Sequence, residues 1–323
     1  MHAPSPTATT SADPDAAIMA VLFRKPGFLL ARVDQITTAL HAARSPATTL
    51  AQAEFLLVLD RLGAMPQIAL ARAAGVDKST TGLVLDNLQA RSWIERGACE
   101  SDRRRAQVSL TEAGNAAIED VATSFAALQD ELVAPLAPED RTRLIAMLHR
   151  LGSNALSPAP PWRPACAPEA GVLDTAPSFL ARRALQHLQA SFAEASRGSR
   201  TTLRQFSLLF ILSRRESITQ MAFARLYGLD PSTCGVIVRA LTKRGLLAAS
   251  VSPDDGRERI HRLTEAGRIA LGALQAQAER SERAAMRGET NGDIRWLVEQ
   301  LRRIVGVHSH RLRFPGFLPA SLA

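Results

Sequence analysis

The chain repeats itself. Thr49–Gly114 aligns with Thr202–Gly267 without a gap, and 24 of the 66 aligned pairs are identical. They include Gly75/Gly228, Asp77/Asp230, Ser79-Thr80/Ser232-Thr233, Gly82/Gly235, Asp102/Asp255, Arg104/Arg257 and the run Leu110–Gly114/Leu263–Gly267. With a two-residue slip the match reaches back to Phe28-Leu29 and Phe179-Leu180. A period this long marks a duplicated domain, not a solenoid of short units.

Between the copies, Asn154–Pro177 carries six prolines, which predicts a stiff, extended connection without regular structure. The expected limits are an N-terminal tail at 1–17, rich in Pro, Ser, Thr and Ala and therefore without a core of its own, and a first domain at 18–153. A linker at 154–177, a second domain at 178–312 and a C-terminal tail at 313–323 follow.

Each copy opens with a helical pattern, Phe28–Ala43 and Phe179–Ala195, polar on one side and apolar at i, i+3, i+4 spacing. A second, more uniformly apolar helix follows at Leu50–Leu62 and Leu203–Ser213. A short helix, Gln67–Ala74 and Gln220–Tyr227, is stopped by Gly75 and Gly228. Asp77 and Asp230 then cap another helix, with Pro231 at a first helical position where its missing N–H costs nothing. In that helix Thr81, Val84, Leu85 and Leu88 share one face, as do Cys234, Ile237, Val238 and Leu241. The opposite face displays Ser79, Thr80, Leu83, Asp86 and Asn87, or Ser232, Thr233, Val236, Arg239 and Lys243. Gly82 and Gly235 are expected to leave gaps on it for close approach of a DNA backbone. A helix, a tight turn and a capped helix form a helix-turn-helix. Strands from Trp93 and Leu246 lead to charged turns at Glu100–Arg105 and Pro253–Arg259, then to return strands ending at Leu110 and Leu263. Thr111 and Thr264 cap the long terminal helices, Glu112–Leu132 with Glu139–Leu151 and Glu265–Arg287 with Ile294–Val307. The fold class is mainly α with small β wings: two winged helix-turn-helix domains joined through a helical, dimerisation-like region.

Charge supports this reading only by position. The 39 Lys+Arg exceed the 31 Asp+Glu by eight, but all except Lys25, Lys78 and Lys243 are arginine in a chain also rich in Ala and Pro. Codon bias is as good a cause of such an excess as selection for nucleic-acid binding, so the sum is weaker evidence than its location. No apolar run is long enough for a bilayer, and no secretory leader pattern is present. A soluble, cytoplasmic protein is expected. Cys99, Cys166 and Cys234 sit far apart, without metal-ligand spacing; Cys234 reads as a packed small hydrophobe and Cys99 as the more oxidisable thiol. Neither a cofactor nor a metal site is expected, and no phosphate loop, nucleophile elbow or HExxH motif points to an enzyme.

These residues resemble the MarR family of winged helix-turn-helix transcriptional regulators. The carrying pattern is Asp-x-Arg-x₅-Leu-Thr-x-x-Gly, present as Asp102, Arg104, Leu110, Thr111, Gly114 and again as Asp255, Arg257, Leu263, Thr264, Gly267. It stands behind Leu70-Ala-Arg-Ala-Ala-Gly-Val-Asp-Lys-Ser-Thr80 in one copy and Phe223-Ala-Arg-Leu-Tyr-Gly-Leu-Asp-Pro-Ser-Thr233 in the other. Family members are usually dimers of one such domain, so the resemblance implies a single-chain pseudodimer, or a dimer of it. It implies a double-stranded DNA operator with half-sites about 34 Å apart. The DNA contacts it implies are Lys78, Ser79, Thr80, Leu83, Asn87, Arg103, Arg104 and Arg105, then Ser232, Thr233, Val236, Arg239, Lys243, Arg257 and Arg259. Asp102 and Asp255 would orient the wing arginines. Relatives bind small, often aromatic acids between the first helices and the DNA-binding lobe. Arg32, His41, Arg183 and His187 on the first helices are candidates for that effector, against the plainer reading of solvated helix faces.

The copies differ from the family and from each other. Leu83, Asn87 and Val236 stand where Arg or Lys is more usual. Residues 78–91 carry Lys78 and Arg91 against Asp86, whereas 231–244 carry Arg239, Lys243 and Arg244. The first wing is the more basic one, with four arginines against Glu100 and Asp102 in 96–105; in 250–259 two arginines face three acids. An imperfectly palindromic operator follows, copy one leaning on its wing and copy two on its helix. The regulator is expected to be a repressor released by a small ligand. The alternative is a duplicated winged-helix scaffold for protein contacts without specific DNA reading.

Overall fold

The structure, a computed structural model, describes residues 13–98, 106–152, 173–253 and 255–319. In chain order the first copy runs α1 (Pro14–Leu22), α2 (Pro26–Arg44), α3 (Leu50–Leu62), β1 (Met65–Pro66), α4 (Gln67–Ala73), α5 (Lys78–Ala90), β2 (Ile94–Ala98), β3 (Ala106–Leu110), α6 (Glu112–Val133) and α7 (Pro138–Gly152). The second runs α8 (Pro177–Ala195), α9 (Leu203–Ser213), β4 (Ile218–Thr219), α10 (Gln220–Tyr227), α11 (Pro231–Lys243), β5 (Leu247–Val251), β6 (Arg259–Leu263), α12 (Glu265–Ala285) and α13 (Asn291–His308). The fold is mainly α with two small antiparallel sheets, ordered β1-β3-β2 and β4-β6-β5. Among the described residues no helix is long and apolar enough to cross a membrane.

The third strand of each sheet is only two residues long, too short to leave an alternating pattern in the sequence. Met65 and Pro66 pair with Val108 and Gln107, Ile218 and Thr219 with His261 and Ile260. Pro66 is tolerated because it sits on an edge strand, where a missing N–H need not break the ladder.

The Leu-Thr-x-x-Gly segment proves to be the joint between wing and long helix. Thr111 accepts from Gly114 N–H (3.1 Å) to cap α6, and its hydroxyl donates to Ser92 O. Thr264 does the same for α12, with Gly267 N–H at 3.0 Å and Gly245 O at 2.7 Å. A Cβ on Gly114 would lie 2.0 Å from Trp93 O, and one on Gly267 2.2 Å from Leu246 O. Only glycine lets the helix start rest on that carbonyl.

Two compact units exist, and they do not follow the two copies. One comprises 1–25, 204–273 and 314–323; the other comprises 26–203 and 274–313. In the first, α9, α10, α11 and the β4-β6-β5 sheet form the copy-two winged helix. Helix α1 belongs to it, which differs from the expected tail at 1–17: Asp13 caps the helix by accepting Asp15 N–H at 3.0 Å, and Ile18, Met19 and Leu22 are buried. Asp15 pairs with Arg215. Within the expected tail at 313–323, Phe317 N–H donates to Leu226 O at 3.1 Å.

The second unit holds the copy-one winged helix and a helical body in which α2, α6 and α7 pack with α8 and α13 of the other copy. Arg150–Glu289 (2.9 Å) and Arg143–Asp293 (2.9 Å) link the copies across this body. Arg44 and Arg311 both pair with Glu131, the latter at 3.1 Å. The expected polar sides of the first helices are not solvated. Arg32, Thr37 and His41 on α2, and Ser178, Arg183, His187 and Ser191 on α8, are all buried. Each helix is enclosed on more than one side, so a one-sided amphipathic pattern describes neither. Residues 153–172 of the expected linker lie outside the described residues, but Leu173 and Ala176 before α8 are buried.

Candidate nucleic-acid interface

In both copies the residues at helix period 3.6 set the exposed face of the second helix-turn-helix helix. On α5, Thr81, Val84, Leu85 and Leu88 are buried; on α11, Cys234, Ile237, Val238 and Leu241 are. Cys234 is fully buried, and burial followed by the Asp230 charge pushes its thiol up to about 12, which makes it inert. The outward faces present Lys78, Ser79, Thr80, Leu83 and Asn87, and Ser232, Val236, Arg239 and Lys243, with Thr233 half-buried. Leu83 is 66% exposed and Val236 60% exposed at the same register of the duplication.

The hydroxyls at the start of these helices have another task. Ser79 donates to Asp77 Oδ1 and Thr80 donates to Asp77 Oδ2 (2.6 Å), while Thr80 N–H also reaches Oδ1 at 2.9 Å. Ser232 and Thr233 repeat the arrangement on Asp230. The Ser79 hydrogen bond, with its Thr80 counterparts, lowers the Asp77 carboxyl to about 2; the Ser232 and Thr233 bonds hold Asp230 well below the usual carboxylate range. A hydroxyl has one proton to give, so these four point lone pairs outward and suit donor groups on bases better than phosphate oxygens. The turn before each helix is set by Gly75 at φ +63° and Gly228 at φ +74°.

The expected backbone gap is present in one copy only. A Cβ on Gly82 would meet nothing within 4 Å, but one on Gly235 would lie 2.9 Å from Arg239 and 3.0 Å from Gln220. Gln220 donates to Pro231 O at 2.7 Å, so in copy two this space holds a side-chain strut.

The wings also differ. Asp102, Arg103, Arg104 and Arg105 lie outside the described residues, as do Cys99 and Cys166. Within the described part, Arg96 on β2 pairs with Asp86 on α5 at 2.6 Å. Arg91 donates to Ala47 O and its guanidinium stacks 5.3 Å from the Trp93 ring. Two cations of the first lobe are thereby used internally. In copy two, α11, the start of α10 and the wing enclose a groove of about 490 Å³ into which Arg239, Lys243, Arg257 and Arg259 project with Glu258 and His261. Asp255 acts on the wing through the backbone: its carboxylate accepts Arg257 N–H at 2.9 Å and leaves the guanidinium exposed.

The candidate effector residues sit in the helical body. His41 is committed to Thr48, its Nε2 lying 3.1 Å from the Thr48 carbonyl, and burial lowers its pKa. Arg32 donates to Gln35 Oε1 at 2.9 Å. Arg183, 2% exposed, donates to Gln186 Oε1 at 2.7 Å and lies 3.3 Å from His187 Nε2. The structure thus brings Arg183 and His187 together. Sequence reasoning missed the stronger feature beside them. Arg182 donates to both Glu54 oxygens (2.9 and 2.7 Å) and to Ala74 O (2.9 Å), and Gln186 donates to Gly75 O (2.8 Å). Burial pushes the Glu54 carboxyl up and the Arg182 guanidinium opposes it. One helix of the body therefore grips the turn of the copy-one helix-turn-helix. The signal in the sequence is Glu54 itself, a carboxylate between Ala53 and Phe55 in the buried stretch of α3.

Comparison with known proteins gives the same division. The model of the MarR family matches residues 48–106 and 201–258. A probable transcriptional regulator from Pseudomonas aeruginosa is 33% identical over 39% of this chain and 94% of that one, with a TM-score of 0.37. BpsR from Bordetella bronchiseptica, solved in a study of regulation of its DNA binding by 6-hydroxynicotinic acid, is 27% identical over 39% of this chain and 89% of that one, TM-score 0.37. A mutant MarR from E. coli complexed with operator DNA is 26% identical over 38% and 90%, TM-score 0.36.

Proposed function

The chain belongs to the MarR family of transcriptional regulators and carries the family's domain twice, and from that premise we propose that it binds an operator through two unequal winged helices. The carrying observation is the outward face shared by α5 and α11: a capped start, an exposed apolar residue at Leu83 or Val236, and cations alongside. Apolar side chains at that position suit thymine methyl groups, while Lys78, Arg239, Lys243, Arg257 and Arg259 suit phosphates and guanine edges. Because Arg91 and Arg96 are engaged within the first lobe, copy one relies on Lys78 and the arginines 103 to 105 of its wing. Copy two relies on α11.

Duplex binding measured against salt tests this. The reading expects log K to fall steeply with log salt, at about −0.9 per neutralised phosphate. Arg104→Ala and Arg257→Ala each flatten that slope by about one. A flat response in the unsubstituted protein identifies an interaction scaffold instead.

The regulator is a repressor released by a small, aromatic-acid type of ligand acting by mass action on two states of the helical body. Arg183 supplies its positive contact, with His187 3.3 Å away as a hydrogen-bonding neighbour; Arg32 is the equivalent on α2, and His41 supports the fold through Thr48. A thermal-shift screen of aromatic acids, repeated with Arg183→Met, checks this: a stabilising acid loses its effect in the variant. Light scattering alone and with operator distinguishes a single-chain pseudodimer from a dimer of it.

A further inference from the structure

The groove beneath the copy-two wing is built from three coordinated departures from copy one. Val108 lies in the sheet beside Arg96, and Arg96 reaches Asp86 across from α5. At the matching positions copy two has His261 beside Ala249, and Arg239. Ala249 removes a guanidinium, Arg239 replaces the carboxylate, and a histidine replaces an aliphatic wall. Where copy one holds a surface cation–carboxylate pair, copy two holds an open space of about 490 Å³ with Arg239 in place of the carboxylate.

We propose that this groove is a binding site for a phosphate-type oxyanion, received by Arg239, Lys243, Arg257 and Arg259 with His261 on its floor. The electrostatics favour that class: four cations line the groove against the single carboxylate of Glu258, and the α10 start and β5 contribute only neutral Thr219, Gln220, Met221 and Ala249. Two polar groups lining it are left wanting partners. His261 is 7% exposed with Nδ1 unbonded, and Thr242 Oγ1 is buried and unbonded. Burial first and Arg259 second lower the His261 pKa, which favours the neutral imidazole. An anion that offsets those cations reverses the second effect and favours imidazolium, so binding takes up a proton. Occupancy then strengthens as pH falls from the His261 midpoint of the anion-bound site towards the lower midpoint of the free one.

The oxyanion has two possible sources, a backbone phosphate of operator DNA or a free anion. The site rests on the DNA reading only for the first. Histidine ring signals of the full chain, followed by NMR against pH, separate the cases. The His261 signal is assigned by its loss in His261→Val. Sulfate, whose charge is constant between pH 5 and 8, is the free-anion probe, and a duplex is the other.

A rise of the His261 titration midpoint by about one pH unit or more with either probe supports the site. A response to sulfate alone supports it while removing this groove from the DNA face. A response to duplex alone identifies the anion as a backbone phosphate. No response to either overturns the proposal. So does an unchanged response in Arg239→Asp/Ala249→Arg, which restores the copy-one ion pair, because it marks an adventitious ion only. A thermal midpoint within a few degrees of the unsubstituted protein shows that this variant is folded.

Discussion

The two helix-turn-helix turns solve one problem in two ways. In copy one, side chains of α8 hold the turn: Arg182 on Ala74 O, anchored by Glu54, and Gln186 on Gly75 O. In copy two, the end of the chain holds it by backbone, with Phe317 N–H on Leu226 O and Gly316 so close to Gly228 that a Cβ would lie 2.9 Å from its Cα. Duplication thus preserved the capped helix and the joint to the long helix, while the supports and the charged groove diverged. The exposed face remained a winged helix in each copy; its supports did not.

The largest difference is expected at Glu54. Glu54→Ala leaves Arg182 buried without its carboxylate and should cost about 3–5 kcal/mol by urea unfolding. Ser207→Ala, the same position of the repeat, removes only a hydroxyl 3.1 Å from Tyr227 and should cost about 1 kcal/mol. Equal losses break the comparison. Next come the groove charges. Asp86→Arg releases Arg96 and adds a cation, and should tighten duplex binding several-fold; Arg239→Asp should weaken it about tenfold, each charge-assisted contact being worth about 1.5 kcal/mol. Both are read by titration at one fixed salt concentration.

Asp77→Ala and Asp230→Ala test what the copies share. Each removes an N-cap worth about 1 kcal/mol, so the two losses in thermal stability should agree. The smallest effect is at the glycines of the exposed face. Gly82→Ala meets open space and should gain up to about 1 kcal/mol of helix propensity, whereas Gly235→Ala crowds Arg239 and Gln220 and gains nothing.

Much of this architecture is legible from residue order. Capping aspartates, the stop at Gly75 and Gly228, and buried faces at helical spacing are local signals, and the structure places them as the spacing requires. The lost parts are those that depend on distant residues. Helix α1 was hidden in an Ala- and Pro-rich stretch because its apolar face packs on a domain more than 180 residues away in sequence. The burial of Arg32, Arg183 and His187 depends on neighbouring helices that a single helix pattern does not reveal. The hydroxyls Ser79 and Thr80 were legible as exposed, but not as already bonded to Asp77. In the same way the Asp86–Arg96 pair joins residues ten apart across a turn, where charge counting registers two ions and no interaction.

In the proposed function, two unequal winged helices on one chain read two unequal half-sites. Selection of bound sequences from random duplex DNA by the full chain tests it most directly. The expected result is a site whose halves differ, with Arg239→Ala relaxing preference in one half only. A perfect inverted repeat, weakened equally in both halves by that substitution, would contradict it.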